Sequence, residues 1–341
     1  MINSNFGFTP LKELWLGNCY PAYFYDHLPN KIADPFRLIT EQTEEDTGRL
    51  QHFLEQRGII VRRPVFDSID AYIDEHGNLV KPPVTPRDHY LTLGNTLYSL
   101  HNDIKTDPWR HWLEDYTTNR FNVRIPVDQP INCLYPPSLV RIGRDIYLDT
   151  ETHKNTWGFV TEWMVEQAKT HRINICNTNG HSDAVFTPVA PGVLVTSHYK
   201  QDYAESFPGW DIYRVPVNLN NSAFIKKHKH WFLGNDAIDS NQTFNQHILT
   251  AAANWVGDYS ETVYEVNMLV LDENNVVAMK EYPPLFEWLS KKGINVHLFE
   301  LRTRGFWDGG WHCFTLDIHR DDTALDLFPE RGSNGVYWRL N

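Results

Sequence analysis

The chain repeats one order of apolar and polar segments, which is clearest between residues 267 and 301. Two apolar runs, NMLVLD (267–272) and VVAMK (276–280), flank the polar turn ENN, and this pattern predicts a β-hairpin. The stretch PPLFEWLSKK (283–292) begins with prolines and stops at Gly293, as helices commonly do. The apolar run INVHLFEL (294–301) predicts a third strand. Together these elements indicate a ββαβ unit.

Two further stretches show the same order. Residues 139–177 contain LVRIG and RDIYLD as a hairpin, then a helix and the strand RINICN. Residues 184–217 contain AVFTPV and VLVTS around a Pro191-Gly192 turn, then a short helix and the strand WDIYRVPV. We therefore expect a repeated unit rather than a series of unrelated domains.

The N-terminal part supplies single elements of the same kind. The pattern predicts a helix over 44–56 before the strand IIVRRP, and a hairpin over 90–100. The early strand LKELWLG (11–17) and the strand after Cys313 have no partner in this scheme. A closed ring of about five units, in which the last strand completes the first unit, uses both.

We therefore predict an α/β fold in which residues 1–341 form a single domain. The alternative is a two-domain α/β protein divided near residue 180. The sequence has no flexible Gly/Ser/Pro linker at that point, which argues against the division.

Composition narrows the classes of function. The chain carries 43 Asp and Glu against 31 Lys and Arg, a net charge of −12, which argues against a nucleic-acid partner. The basic stretch KKHKH (226–230) is expected to be a solvated loop. The start lacks the pattern of a secretory signal, and no apolar run is long enough to span a bilayer. The four cysteines form no C-x-x-C motif, so we expect a reduced, cytoplasmic protein without metal or cofactor.

Cys313, in GGWHCFTLDIHR (309–320), is the first candidate for chemistry. The two glycines before it let the backbone approach a small substrate, and a thiolate is a strong nucleophile when a base or positive field supports it. The alternative is that WHCFTLDI is a strand in which Cys313 is a small packed residue. The spacing alone favours this alternative.

His181 and Asp183, in NGHSDAVF, lie at the junction between two units, where functional residues often gather. In extended backbone both side chains would point to the same side and could serve as a proton shuttle and a cation anchor. The alternative is a turn in which the polar residues satisfy backbone groups and His181 has no role. Asp88, in TPRDHY, precedes the next hairpin and is uninformative by itself.

These stretches together resemble the guanidino-group-modifying superfamily, and within it the amidinotransferases. The resemblance runs over most of the chain and rests on an ordered set of motifs: TPLKELWLGN, PRD (86–88), RIGRDIY (141–147), GHSDAVFTPVAPGVLV (180–195), VNMLVLDE (266–273) and GGWHCFTLDIHR. The resemblance implies a five-bladed α/β propeller of ββαβ units, the pentein fold, in agreement with the ring inferred from the repeats.

The resemblance also implies a mechanism and partners. Cys313 would attack the guanidinium carbon of an L-arginine-like donor, and His181 would protonate the departing amine. A small amine acceptor would then take the amidino group from the cysteine. Asp88 and Asp183 would hold the planar guanidinium by charge-assisted hydrogen bonds, and Lys200 would pair with the donor's carboxylate. Family members are often dimers, so a homodimer is expected.

The sequence departs from the family at one position of the expected site. The family has a carboxylate eight residues before the glycine equivalent to Gly143, where it orients the catalytic histidine, and this chain has Tyr135 there. A tyrosine can hydrogen-bond an imidazole but cannot stabilise its cation by charge. Three interpretations are open: Tyr135 takes the role of the orienting carboxylate, a carboxylate from another segment such as Asp128 orients the histidine, or activity is weak or absent. Glu261 also replaces a serine near the family's substrate, and Asn267 matches a residue expected to be structural or peripheral.

Three functions stay open at this point. The leading prediction is an amidinotransferase, and the alternative within catalysis is a hydrolase in which water resolves the amidino-cysteine. The alternative from another class is a non-catalytic guanidine or amino-acid binding protein, which Tyr135 favours.

Overall fold

The computed structural model describes residues 1–66, 68–73, 79–99, 109, 111–113, 122–124, 135–150, 157–178, 181–197, 203–216 and 263–338. The strands in these ranges are β1 Leu11–Leu16, β2 Ile60–Arg62, β3 Tyr90–Leu93, β4 Thr96–Ser99, β5 Asn122–Arg124, β6 Leu139–Ile142, β7 Asp145–Asp149, β8 Arg172–Cys176, β9 Phe186–Ala190, β10 Val193–Thr196, β11 Asp211–Arg214, β12 Leu269–Asp272, β13 Asn275–Ala278, β14 Asn295–Leu298, β15 Thr315–Arg320 and β16 Gly335–Trp338. The α-helices are α1 Asn30–Gln56, α2 Trp157–Gln167, α3 Ser182–Val185, α4 Tyr203–Ser206, α5 Pro283–Ser290 and α6 Arg304–Trp307. Single 3₁₀ turns lie at Ala22–Tyr25, Ile69–Tyr72, Pro86–Asp88, Pro136–Ser138 and Pro329–Arg331.

The described strands form five separate small sheets with one recurring pattern. In three of them an antiparallel hairpin is followed by a helix and a strand parallel to the second hairpin strand: β6-β7-α2-β8, β9-β10-α4-β11 and β12-β13-α5-β14. The ββαβ units predicted from residues 139, 184 and 267 onward are therefore confirmed. The sheet of β3, β4 and β5 has the same strand pattern, and β16 adds an edge strand beside β8.

The first sheet joins the two ends of the described chain. Strand β1 pairs parallel to β2, which follows helix α1, and antiparallel to β15. The prediction that the strand after Cys313 completes the first unit is confirmed by this pairing. Residues near the N-terminus add isolated bridges from Asn3 to His319, Ser4 to Gly94 and Phe6 to Ile142, which connect three of the sheets.

Helix α1 differs from the sequence prediction. It begins at Asn30 rather than at residue 44 and contains Pro35, which removes one backbone donor from the helix interior. Phe36 and Ile39 in this early part are almost fully buried, so tertiary packing offsets the loss. No described helix is both long and apolar enough to cross a membrane.

A buried charged cluster lies beneath the end of β15. Asp317 accepts hydrogen bonds from Arg87, Arg141 and Arg320, which come from three different places in the chain. All four side chains are almost completely buried. Although burial opposes it, the three guanidinium groups, Arg320 first, hold the pKa of Asp317 well below its usual range. The cluster joins the segment before β3, strand β6 and strand β15, and so fixes the frame of the site described next.

Candidate active site

Cys313 lies in a turn that ends where β15 begins at Thr315, not within the strand. Its side chain is only 5% exposed. The Phe314 amide donates to the Gly310 carbonyl at 3.0 Å, and the Thr315 hydroxyl donates to the Trp311 carbonyl at 2.7 Å. The interpretation of WHCFTLDI as one continuous strand is therefore wrong, because these local bonds close the chain into a turn around the thiol.

Asn267, just before β12, holds this turn from the other side. Its side-chain Oδ1 accepts a hydrogen bond from the Cys313 amide at 3.0 Å, and its Nδ2 donates to Cys313 Sγ at 3.0 Å. A Cβ at Gly310 would lie 2.3 Å from the Asn267 carbonyl oxygen and 2.5 Å from Oδ1. Glycine is required at 310 because Asn267 occupies that space. Of the two expectations for Asn267, a structural or a peripheral place, these contacts support the structural one.

Two carboxylates influence the thiol. Burial, and then the negative charges of Asp183 and Asp88, raise the pKa of Cys313 well above its ordinary value. The hydrogen bond from Asn267 and the charge of Arg87 act in the opposite direction. A thiol in this field stays protonated near neutral pH until positive charge is brought close to it.

Asp183 presents a carboxylate whose hydrogen bonds are not satisfied by the described part of the chain. The residue is 3% exposed, and neither carboxylate oxygen has a hydrogen-bond partner there. Nδ1 of His312 lies 3.3 Å from Asp183 Oδ2. Burial, and then Arg87, lower the pKa of His312, although Asp183 acts in the opposite direction, and the lowered pKa favours a neutral imidazole beside this carboxylate. Leaving a buried carboxylate unpaired is costly, which indicates a place for a cationic donor.

Arg87 connects the segment of Asp88 to the cysteine turn. Its Nε donates to the carbonyl oxygens of His312 at 2.9 Å and Thr315 at 3.0 Å, which lie on either side of Cys313. Asp88 is the last residue of the 3₁₀ turn Pro86–Asp88, so its position follows from that of Arg87. A narrow cavity of mixed lining lies at this point, where Arg87, Arg141, Asp183 and His312 meet apolar residues such as Leu139 and Phe186.

His181 and Tyr135 meet at the junction before α3. The Tyr135 hydroxyl and His181 Nε2 are 2.9 Å apart, and the two rings meet nearly edge to face. His181 directly precedes helix α3 and Asp183 lies within it, so the extended geometry assumed for His181 and Asp183 is wrong. Residues two apart at a helix start point in different directions: His181 faces Tyr135, whereas Asp183 faces His312 and Cys313.

Other residues named from the sequence lie outside the described residues. These are Lys200, Asp128 and Glu261. Conversely, the contacts of Asn267, Arg87 and His312 were not expected, although each of the three is part of a motif quoted above. The sequence signal for these three residues was that each lies within one of the motifs VNMLVLDE, PRD and GGWHC. The spacing between the motifs could not show that the residues contact each other.

Sequence comparison finds amidinotransferases among the relatives of this chain. The L-arginine:L-lysine amidinotransferase of Pseudomonas savastanoi pv. phaseolicola is 24% identical over 215 residues, which cover 61% of this chain and 50% of that protein. The mitochondrial glycine amidinotransferase of Xenopus tropicalis is 25% identical over 250 residues, which cover 70% of this chain and 49% of that protein. Its relatives in sequence are amidinotransferases. The resemblance drawn from the ordered motifs is thereby confirmed. The chain spans about half the length of the curated relatives it matches. No family model matches it.

Solved structures show the same fold. The inosamine-phosphate amidinotransferase of Streptomyces griseus aligns with a TM-score of 0.67 at 17% identity, covering 95% of this chain and 98% of that one. A dimethylarginine dimethylaminohydrolase from Pseudomonas aeruginosa aligns with a TM-score of 0.54 at 11% identity, covering 90% of this chain and 99% of that one. The fold is therefore an α/β fold like that of these amidinotransferase and hydrolase neighbours.

Proposed function

We propose that this protein is an amidinotransferase that moves an amidino group from an L-arginine-like donor to a small amine. The observation that carries the proposal is the buried Asp183 carboxylate, without a hydrogen-bond partner in the described residues, beside the buried Cys313 thiol. A guanidinium is a planar cation with several N–H donors, and it would satisfy such a carboxylate while bringing its carbon to the sulfur. The amidinotransferase relatives support the same assignment.

The proposed reaction has two halves. A guanidinium held between Asp88 and Asp183 places positive charge beside Cys313 and favours its thiolate. The thiol gives its proton to His181, and the resulting thiolate attacks the guanidinium carbon. The bond from that carbon to the donor's amine then breaks, and His181 returns this proton to the departing amine. The acceptor amine loses a proton to His181 and attacks the amidino carbon, and the sulfur leaves as thiolate.

Tyr135 has a place in this proposal as the partner of His181. Its hydroxyl, 2.9 Å from Nε2, fixes the direction of the imidazole without adding a negative charge. Lys200 is proposed as the partner of the donor's carboxylate on the resemblance alone.

The proposal extends to the overall architecture. We propose that the five sheets close into a five-bladed propeller in one domain spanning 1–341, with the site where several units meet. The pairing of β1 with β15 and the N-terminal bridges between sheets support such a closure. The cytoplasmic location and the homodimer stay predictions.

The experiment that tests the function follows labelled L-arginine with and without a pool of amines. Release of ornithine together with a guanidinylated amine, lost in the Cys313→Ser variant, is the expected result. Formation of citrulline or ammonia without any acceptor would instead establish a hydrolase of the same fold. Arginine binding without any product would establish a binding protein and reject catalysis.

A further inference from the structure

The amide of Asn267 has only one orientation that satisfies its neighbours. The Cys313 backbone amide can only donate, so the atom 3.0 Å from it must be the Asn267 oxygen. The nitrogen of the same amide therefore faces Cys313 Sγ at 3.0 Å and donates to it. The Asn267 side chain is completely buried, and the backbone carbonyl of Asn267 accepts from the His312 backbone amide at 3.3 Å.

The charges around the thiol make this donor important. Asp183 and Asp88 both disfavour a thiolate, whereas the hydrogen bond from Asn267 and the charge of Arg87 favour it. A hydrogen bond donated to sulfur becomes charge-assisted once the thiolate forms, and is then about twice as strong as a neutral one. The bond from Asn267 thus gains strength when the thiol loses its proton before attack, and again when the sulfur leaves as thiolate.

We propose that Asn267 is a catalytic residue, whose amide orients the Cys313 side chain through the backbone and stabilises its thiolate through the N–H···S hydrogen bond. This inference deepens the proposed function and rests on it, because it assigns the support of the nucleophile within the same site. Gly310 belongs to the same arrangement, since any side chain there would push Asn267 away from the sulfur.

The test measures how fast iodoacetamide alkylates Cys313 as a function of pH, in the absence of the arginine donor and the amine acceptor. Peptide mass spectrometry assigns the modified cysteine, and the Cys313→Ser variant gives the background from the other thiols. In Asn267→Ala we expect the midpoint of the profile to rise by about one to two pH units, because a hydrogen bond to a charged group is lost. Below the midpoint, alkylation should be about 3- to 10-fold slower, since the remaining thiolate is more nucleophilic.

The variant Asn267→Asp keeps the size and the acceptor oxygen but replaces the donor by a negative charge. It should raise the midpoint further than Asn267→Ala does. The matched control is Asn174→Ala, which removes an equally buried amide bonded to Asp145 at 2.9 Å, away from the cysteine turn. This control should lower stability and leave the alkylation profile of Cys313 unchanged.

The outcomes separate the two possible roles of Asn267. A purely structural role predicts faster alkylation in Asn267→Ala, because truncation opens space beside the thiol, with an unchanged midpoint. That result, or the failure of both Asn267 variants to fold, would overturn the proposal. The alkylation profile needs no turnover, so it is independent of the proposed function. A shifted midpoint without any amidino transfer would reject the transferase activity, but it would still show that Asn267 stabilises the thiolate.

Discussion

At the scale of single residues, Tyr135 distinguishes this site from the pattern of the amidinotransferases. Its hydroxyl contacts His181 where the resemblance leads one to expect a carboxylate. A neutral hydroxyl fixes the ring direction, but it stabilises an imidazolium less than a carboxylate does. In the proposed site Tyr135 contributes geometry at His181, and the bound guanidinium brings positive charge to the thiol.

Substitutions at Tyr135 test this directly. Tyr135→Phe removes only the hydroxyl and should lower kcat about 10- to 100-fold, the worth of one well-placed hydrogen bond, with little change in KM for arginine. Tyr135→Asp restores a carboxylate and should keep or raise the activity. Steady-state turnover, with circular dichroism to check folding, measures both. A collapse of activity in folded Tyr135→Asp would show that the tyrosine has a role of its own.

Asp88 should act on the donor and not on the fold. In Asp88→Asn the charge that pairs with the guanidinium is lost, so capture of arginine should weaken at least 10-fold while the melting temperature stays nearly constant. Asp272→Asn is the control, because among the described residues Asp272 accepts hydrogen bonds from Asn274 and Asn275 of its own turn. Calorimetric titration with arginine measures capture, and unchanged binding in Asp88→Asn would remove Asp88 from the site.

At the scale of elements, the turn of residues 309–314 determines whether the site forms. Gly310→Ala would place a Cβ against three atoms of Asn267, so we expect loss of nearly all activity and lower stability. Gly309→Ala is milder, since its nearest contacts are 3.1 to 3.4 Å away. In helix α1, Gly48→Ala meets nothing within 4 Å and should stabilise the protein by about 0.5–1 kcal/mol. Thermal denaturation and turnover of the three variants would contradict this ranking if Gly310→Ala stayed active.

The elements also show what the sequence could predict. The ββαβ units could be predicted because each hairpin, helix and strand has its own hydrophobic periodicity and terminating residues, as in β12, β13 and α5. The early part of α1 was not, because Pro35 signals an end that the packing of Phe36 and Ile39 overrides. In the site, ordered motifs brought out Cys313, Asp183 and Asp88, while the contact of Asn267 with the thiol depends on two segments 46 residues apart and could not be read from either one.

At the scale of the whole molecule, Asp317 links three parts of the fold beneath the site. In Asp317→Asn three buried arginines lose their shared counter-charge, and the free energy of unfolding should fall by on the order of 3–5 kcal/mol. The exposed pair of Asp321 with Lys12, 3.8 Å apart, provides the control, and Asp321→Asn should change stability by less than about 0.5 kcal/mol.

The pH dependence of this effect has a definite sign. The native pKa of Asp317 lies well below its usual range, so its contribution is complete above the unfolded-state pKa of about 3.9. It is lost as the pH falls from there toward the native pKa. Urea denaturation should therefore show a large difference between wild type and Asp317→Asn at pH 7 and a smaller one near pH 3. An equal difference at both values would contradict the account.

The central claim is that Cys313 is a nucleophile toward a guanidino carbon. The most direct measurement is the intact mass of the protein after incubation with L-arginine alone and quenching in acid, followed by peptide mapping. We predict a fraction of the protein that is heavier by one amidino group, carried on Cys313, absent from Cys313→Ser and discharged when amines are added before quenching. Protein that binds arginine under these conditions but never carries the group on Cys313 would contradict the account.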